Sequence, residues 1–229
     1  MELRIEFYKR GMIKFISHLD TIRLFSRAMK RAKIPMLWSE GYNPHMKMSI
    51  AVPLSLGMES DSETMDIEVE DTYQWKNLMD DLNQTLPNGL QITKVTNEFN
   101  RQSVFERVFS SEYDLFFPDK YSPEIEKIDE AISDFLKTDE VLVPRKRKKG
   151  KKRILVNENI RDKVIDLGLE DVDWGYKIKA HLMAGSENNL RPDRLLKGIF
   201  IFLDAEMDHD LVQIRRLRSY DKNGAEIQL

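Results

Sequence analysis

Glu63-Thr-Met-Asp-Ile-Glu-Val-Glu70 alternates polar and apolar residues without a break. A period of two puts Met65, Ile67 and Val69 on one face and Asp66, Glu68 and Glu70 on the other, the pattern of a strand with one buried side. Just before it, Gly57 and the Ser/Asp cluster at 59–62 read as a turn. Before that turn, residues 47–54 alternate again, with Met48, Ile50, Val52 and Leu54 on one face. The pair is flanked by two helical patterns. Over 18–33, Leu19, Ile22, Phe25, Met29 and Ala32 share a face, opposite Arg23, Arg27, Lys30 and Arg31. Ser17 is placed to cap this helix, with Asp20 three residues on, and Pro35 stops it. The second helix covers 73–85 and ends at Pro87-Asn88-Gly89. Outermost lie two further strands, 3–9 and 90–97. The order is β-α-β-β-α-β, the ferredoxin-like arrangement.

The second half is also α+β but looser, a degenerate ferredoxin-like repeat by shape alone. Strands are expected at 112–117, 175–183 and 211–219, and helices at 123–137, 159–166 and 192–203. Val141-Leu-Val143 and Ile154-Leu-Val156 flank a basic run and are expected to form a hairpin with a basic tip. The expected organisation is a ferredoxin-like domain at 1–100 and a second α+β unit at 101–229, which carries the basic loop 144–153. The boundary falls in the polar stretch near 97–103.

The chain has 229 residues and 33% charged residues, and its net charge of −3 hides a division. Eight of its 36 Lys and Arg residues fall within 145–153, with no acid among them, so the remainder is markedly acidic. Residues 1–50 are basic as well. A local basic patch on an acidic background attracts polyanions without making the whole surface adhesive. There is no cysteine. Disulfides, cysteine-ligated zinc and cysteine-held iron–sulfur clusters are therefore excluded. No apolar run is long enough for a membrane span, and Met1-Glu-Leu-Arg4 lacks a signal-peptide layout. A cytoplasmic protein without a resident cofactor or membrane partner is expected.

Four stretches carry a resemblance. They are Phe15-Ile-Ser-His-Leu-Asp20, Arg27-Ala-Met-Lys-Arg-Ala32, Ser39-Glu-Gly-Tyr-Asn-Pro-His45 and Pro53-Leu-Ser-Leu-Gly57. In order and spacing they resemble the uncharacterised bacterial family of radical-SAM-linked proteins, with Ser17, His18, Asp20, Gly41, Asn43, Pro44, His45 and Gly57 as the matching positions. The match is dense over 3–95 and looser beyond, where Leu190-Arg-Pro-Asp193 also looks like the family. Members occur alone or fused to a radical SAM protein with a B12-binding-type domain, and some lie beside genes of RNA processing. The resemblance implies a radical SAM protein as partner and tilts the substrate toward RNA. Radical SAM chemistry needs a three-cysteine cluster motif, so this chain does not perform it alone.

His18, Asp20 and His45 are the catalytic candidates, because a β-α-β-β frame brings the start of the first helix near the loop before the second strand. Anion contact at a helix N-terminus, acid–base work by two histidines and a His/His/Asp metal site are all open, beside plain capping and loop pinning. Arg23, Arg27, Lys30 and Arg31 form a candidate phosphate-tracking stripe. Arg145, Lys146, Arg147, Lys148, Lys149, Lys151, Lys152 and Arg153 form a candidate nucleic-acid contact of low sequence specificity. Trp38 and Tyr42 are possible stacking faces. His181 reads as structural, and His209 lies in the acidic turn 204–210. The leading expectation is an accessory or substrate-presenting partner of a radical SAM enzyme that binds RNA through the basic helix and loop. The alternatives are a stand-alone RNA-processing enzyme using His18 and His45, and a protein-only adaptor.

Overall fold

Alternating strands with one apolar face need a helix layer to bury that face, and the first half of the chain supplies both. The computed structural model describes residues 1–99, 102, 104–118, 122–150, 152–185, 188–203 and 211–227; the side chains of Lys148, Lys149, Lys152 and Arg153 lie outside the described set. The chain forms two compact units, residues 1–108 with 215–229, and residues 109–214.

The first unit runs β1 (Glu2–Lys9), α1 (His18–Arg31), β2 (Met48–Ile50), β3 (Glu59–Glu68), α2 (Leu78–Asn83), β4 (Leu90–Thr96) and α3 (Val104–Arg107). The sheet order is β4-β1-β3-β2 with every neighbouring pair antiparallel, so the expected ferredoxin-like frame is present. The β1–β3 register sets Leu3 opposite Ile67 and Ile5 opposite Met65, which keeps the apolar sides of both strands on one face. Phe25, Ala28 and Met29 of α1 and Leu78 and Leu82 of α2 close over that face, all fully buried. Phe7 meets Phe25 edge to face, with ring centroids 4.8 Å apart.

The second unit runs β5 (Ser110–Pro118), α4 (Ile125–Lys137), β6 (Leu142–Lys149), β7 (Lys152–Asn159), β8 (Val164–Val172), β9 (Gly175–Met183) and α5 (Pro192–Ile199). β9 lies between β5 and β8 in an antiparallel sheet, and β6 with β7 forms a separate hairpin. Phe135 of α4 and Leu195, Leu196 and Ile199 of α5 are fully buried beside Val143 at the hairpin base. The last strand, β10 (Gln213–Tyr220), starts at the end of this unit. From Arg215 onward it belongs to the first unit, where it pairs parallel with β3, Arg215 opposite Glu59 and Arg216 opposite Ser60.

Several elements differ from expectation for identifiable reasons. β3 begins at Glu59, because the Ser/Asp cluster expected to turn is paired on both edges, Ser60 facing Lys9 and Arg216. Tertiary pairing overrides turn propensity there. β2 spans three residues rather than eight: Pro53 has no N–H for a ladder, and β10 takes the adjoining part of that edge of β3. The helix expected at 159–166 is one 3₁₀ turn, Arg161–Lys163, followed at once by β8. The helix expected over 73–85 is a 3₁₀ turn, Trp75–Asn77, and then α2.

Candidate nucleic-acid interface

The start of α1 is built as its sequence requires. Ser17 is extended, and its Oγ accepts from the Asp20 N–H at 3.1 Å. The same hydroxyl donates to the Asp20 carboxylate at 2.6 Å, and Arg23 donates to it at 3.0 Å. The Ser17 hydroxyl, then Arg23, hold the Asp20 carboxyl below its usual range.

Beyond this cap, Arg23, Arg27 and Arg31 recur every four residues and line one side of an open cleft of about 570 Å³. Leu24 of the same helix, with Ile16, Leu86 and Pro87, gives it a half-buried apolar wall, and Asp20 is the one acid among the described residues that line it. Arg31 reaches across to the Thr85 carbonyl at 2.7 Å and ties α1 to the loop after α2. Arg27, between the two tethered arginines, makes no hydrogen bond or ion pair to another described residue. Lys30 stands off this line, its ammonium 5.2 Å from the centre of the Trp38 ring.

The motif loop that follows is pinned at its base. The Ser39 N–H donates to the His45 carbonyl at 2.8 Å, the His45 N–H donates to Ser39 Oγ at 3.0 Å, and that hydroxyl lies 2.8 Å from His45 Nδ1. Gly41, Tyr42, Asn43 and Pro44 are exposed, Tyr42 completely. The Gly57 N–H donates to the Lys14 carbonyl, and the φ of +84° at Gly57 lies where glycine is favoured.

His18 is half-buried and points elsewhere. It lines a cavity of about 10 Å³ with Lys9, Thr21 and Glu63, space for one water. Lys9 is buried and donates to the Ile16 carbonyl at 3.0 Å; burial lowers its pKa, against the opposing pull of Glu63. Asp20 and His45 thus have separate hydrogen-bond partners, and His18 lines a cavity that neither of them lines. Among the described residues no group of three His, Asp or Glu side chains is placed to hold a metal ion.

In the second unit the basic run forms the two arms of the hairpin itself. The strands continue to Lys149 and Lys152, with Gly150 at φ +62° in the turn. Arg145, Lys146 and Arg147 are exposed, and Arg145 is 3.1 Å from Glu158. Glu158 also accepts from Lys163 and, at 2.5 Å, from Arg194. Burial alone would raise the Glu158 carboxyl, but Lys163 and Arg194 outweigh it and hold the pKa down to about 2. At the tip, the register sets Lys148 across from Arg153 and Lys149 across from Lys152. Lys151 lies outside the described residues, as do His209 and its acidic turn.

Residues 2–192 match the model of a family described as an uncharacterized protein conserved in bacteria, DUF2344. The chain belongs to this family. No curated protein matches it in sequence. A chain of the crystal structure of a Cbf5–Nop10–Gar1 complex shares its fold at a TM-score of 0.51 and 14% identity, over 96% of the DUF2344 chain and 50% of the other. The DUF2344 chain therefore spans about half the length of that neighbour. An unknown protein from Galdieria sulphuraria (12% identity, 99% and 98% coverage) and a RAMP protein binding different RNA substrates (11% identity, 82% and 89%) align at a TM-score of 0.25, too low to carry weight. Among the described residues no helix of the DUF2344 chain is long and apolar enough to cross a membrane.

Sequence patterning missed three parts of these sites. Thr85, Leu86 and Pro87 read only as a helix end, Lys9 read only as the last residue of a strand, and Glu158 carried no motif. Each acquires its role through a partner distant in sequence.

Proposed function

We propose that this chain is an accessory, substrate-presenting partner of a radical SAM enzyme and holds RNA through α1 and the basic hairpin. The observation that carries the RNA part is the α1 cleft, where three arginines line an open groove with Asp20 as the one acid among its described lining residues. Arg27 spends no hydrogen bond on another described residue, and a guanidinium is well shaped for phosphate. The hairpin adds positive charge, with Arg145, Lys146 and Arg147 exposed on its first strand. Support for the radical SAM partner is the resemblance of the four motifs, together with the lack of cysteine in this chain. The cytoplasm is the compartment that fits this role. His18 and His45 have separate surroundings, which favours the accessory role over acid–base catalysis by this pair.

The test is fluorescence anisotropy of a labelled RNA titrated with the full chain at stepped salt. Affinity should fall steeply with salt, and Arg23→Glu with Arg27→Glu, or Arg145→Glu with Lys146→Glu and Arg147→Glu, should weaken it at least tenfold. A flat salt response would sink the RNA reading. If these reversals spare RNA retention but abolish co-purification of a radical SAM protein, the chain is a protein-only adaptor. If the purified chain cleaves RNA and His18→Ala or His45→Ala stops it, the accessory reading fails.

A further inference from the structure

We infer that the α1 cleft selects a single strand over a duplex, seating phosphates along Arg23 and Arg27 and bases against the wall of Ile16, Leu24, Leu86 and Pro87. This rests on the RNA reading above and specifies which form of RNA the cleft takes. The cleft combines two chemistries. Three arginines line it along α1, and its apolar lining, Leu24 from the same helix with Ile16, Leu86 and Pro87, is half-buried.

The cationic side has the spacing of one strand. Residues four apart on a helix are about 6 Å apart along its axis, comparable with the separation of successive phosphates on one nucleic-acid chain. The row is short. Arg31 is drawn across to the Thr85 carbonyl and closes one end, and Asp20 marks the other. A volume of about 570 Å³ suits one or two nucleotides rather than the breadth of a helix.

The apolar side explains the selectivity. A duplex presents phosphates and sugars outward and keeps its base faces stacked inside, so it could use the arginines but would leave the wall uncovered. Unpaired bases can turn their faces onto a nonpolar surface, and guanidinium planes offer a second surface for stacking. The wall therefore favours only a strand whose bases are free.

The full chain should be titrated with a labelled oligouridine of about a dozen nucleotides and with a duplex of equal length, at several salt concentrations. The single strand should bind at least tenfold more tightly. Arg27→Gln, at an exposed position outside the core, should weaken it severalfold and reduce the slope of log affinity against log salt by about 0.7, the value for one phosphate contact to a single strand. Leu86→Asn should weaken single-strand binding severalfold with the salt slope and duplex affinity unchanged. Equal or tighter duplex binding, or an Arg27→Gln variant with unaltered affinity, would overturn the inference while leaving RNA binding intact. Binding of neither probe would overturn the RNA reading itself and this inference with it.

Discussion

The guanidinium of Arg216 lies against the carboxylate of Glu63, with side chains only 4% and 3% exposed, although 153 residues separate them. Arg216 Nε donates to Glu63 at 3.1 Å and Nη2 to the Val52 carbonyl at 2.9 Å. The pair joins β10 to β3 inside the first unit, with Lys9 and His18 on the same small cavity as Glu63.

Breaking this pair leaves a buried charge without its partner. Arg216→Met should cost on the order of 3–5 kcal/mol, measured by urea unfolding. Arg216→Met combined with Glu63→Leu should recover much of that loss, because an apolar pair carries no desolvation penalty.

Glu158 makes the second unit sensitive to acid. Its carboxyl sits at about 2 when folded, against an ordinary value of 4.5. The unfolded chain binds the proton first as pH falls, so the stabilisation is fully present above pH 4.5 and is lost progressively between about 4.5 and 2. Glu158→Gln should flatten the acid-unfolding curve in that window. At neutral pH it should cost on the order of 3 kcal/mol, since buried Lys163 and half-buried Arg194 lose their shared anion.

Gly198 reverses an ordinary rule. Alanine in place of a helical glycine normally gains about 1 kcal/mol. Here a Cβ would stand 2.5 Å from Ile160 Cδ1, 3.2 Å from Phe135 Cε2 and 3.3 Å from Val141 Cγ1. Overpacking costs about 1–3 kcal/mol. Gly198→Ala should therefore lower the melting temperature, and Gly198→Ala with Ile160→Val should restore part of it.

Ser17→Ala should cost about 1 kcal/mol through loss of the helix cap. Because the Ser17 hydroxyl is the leading cause of the low Asp20 pKa, an NMR titration of Asp20 in that variant should move upward toward the normal carboxylate range.

Much of the fold was legible because its signals are local. The alternation at 63–70, the apolar stripe of α1 and the Ser17 cap each depend on residues within a turn or a strand of one another. The α+β frame followed from their order. The basic run was legible as charge, yet its extent as strand was not: cross-strand pairing of Arg145–Lys149 with residues 152–156 carries the ladder into residues whose mutual repulsion argued for a loop. Ser60 was misread for a related reason, since a polar cluster looks like a turn until two neighbouring strands pair with it.

The sequence by itself determined the ferredoxin-like order of the first unit, the positions of the basic residues and the exclusion of cysteine chemistry, because periodicity and composition need no long-range information. The tertiary structure decided which charges act together. It sent Arg23 and Arg27 into a cleft walled by Leu86 and Pro87, turned Lys30 to Trp38, gave His18 and His45 different surroundings, and returned Arg216 to Glu63. These outcomes depend on contacts between residues tens to more than a hundred positions apart, and no local pattern encodes where such partners meet.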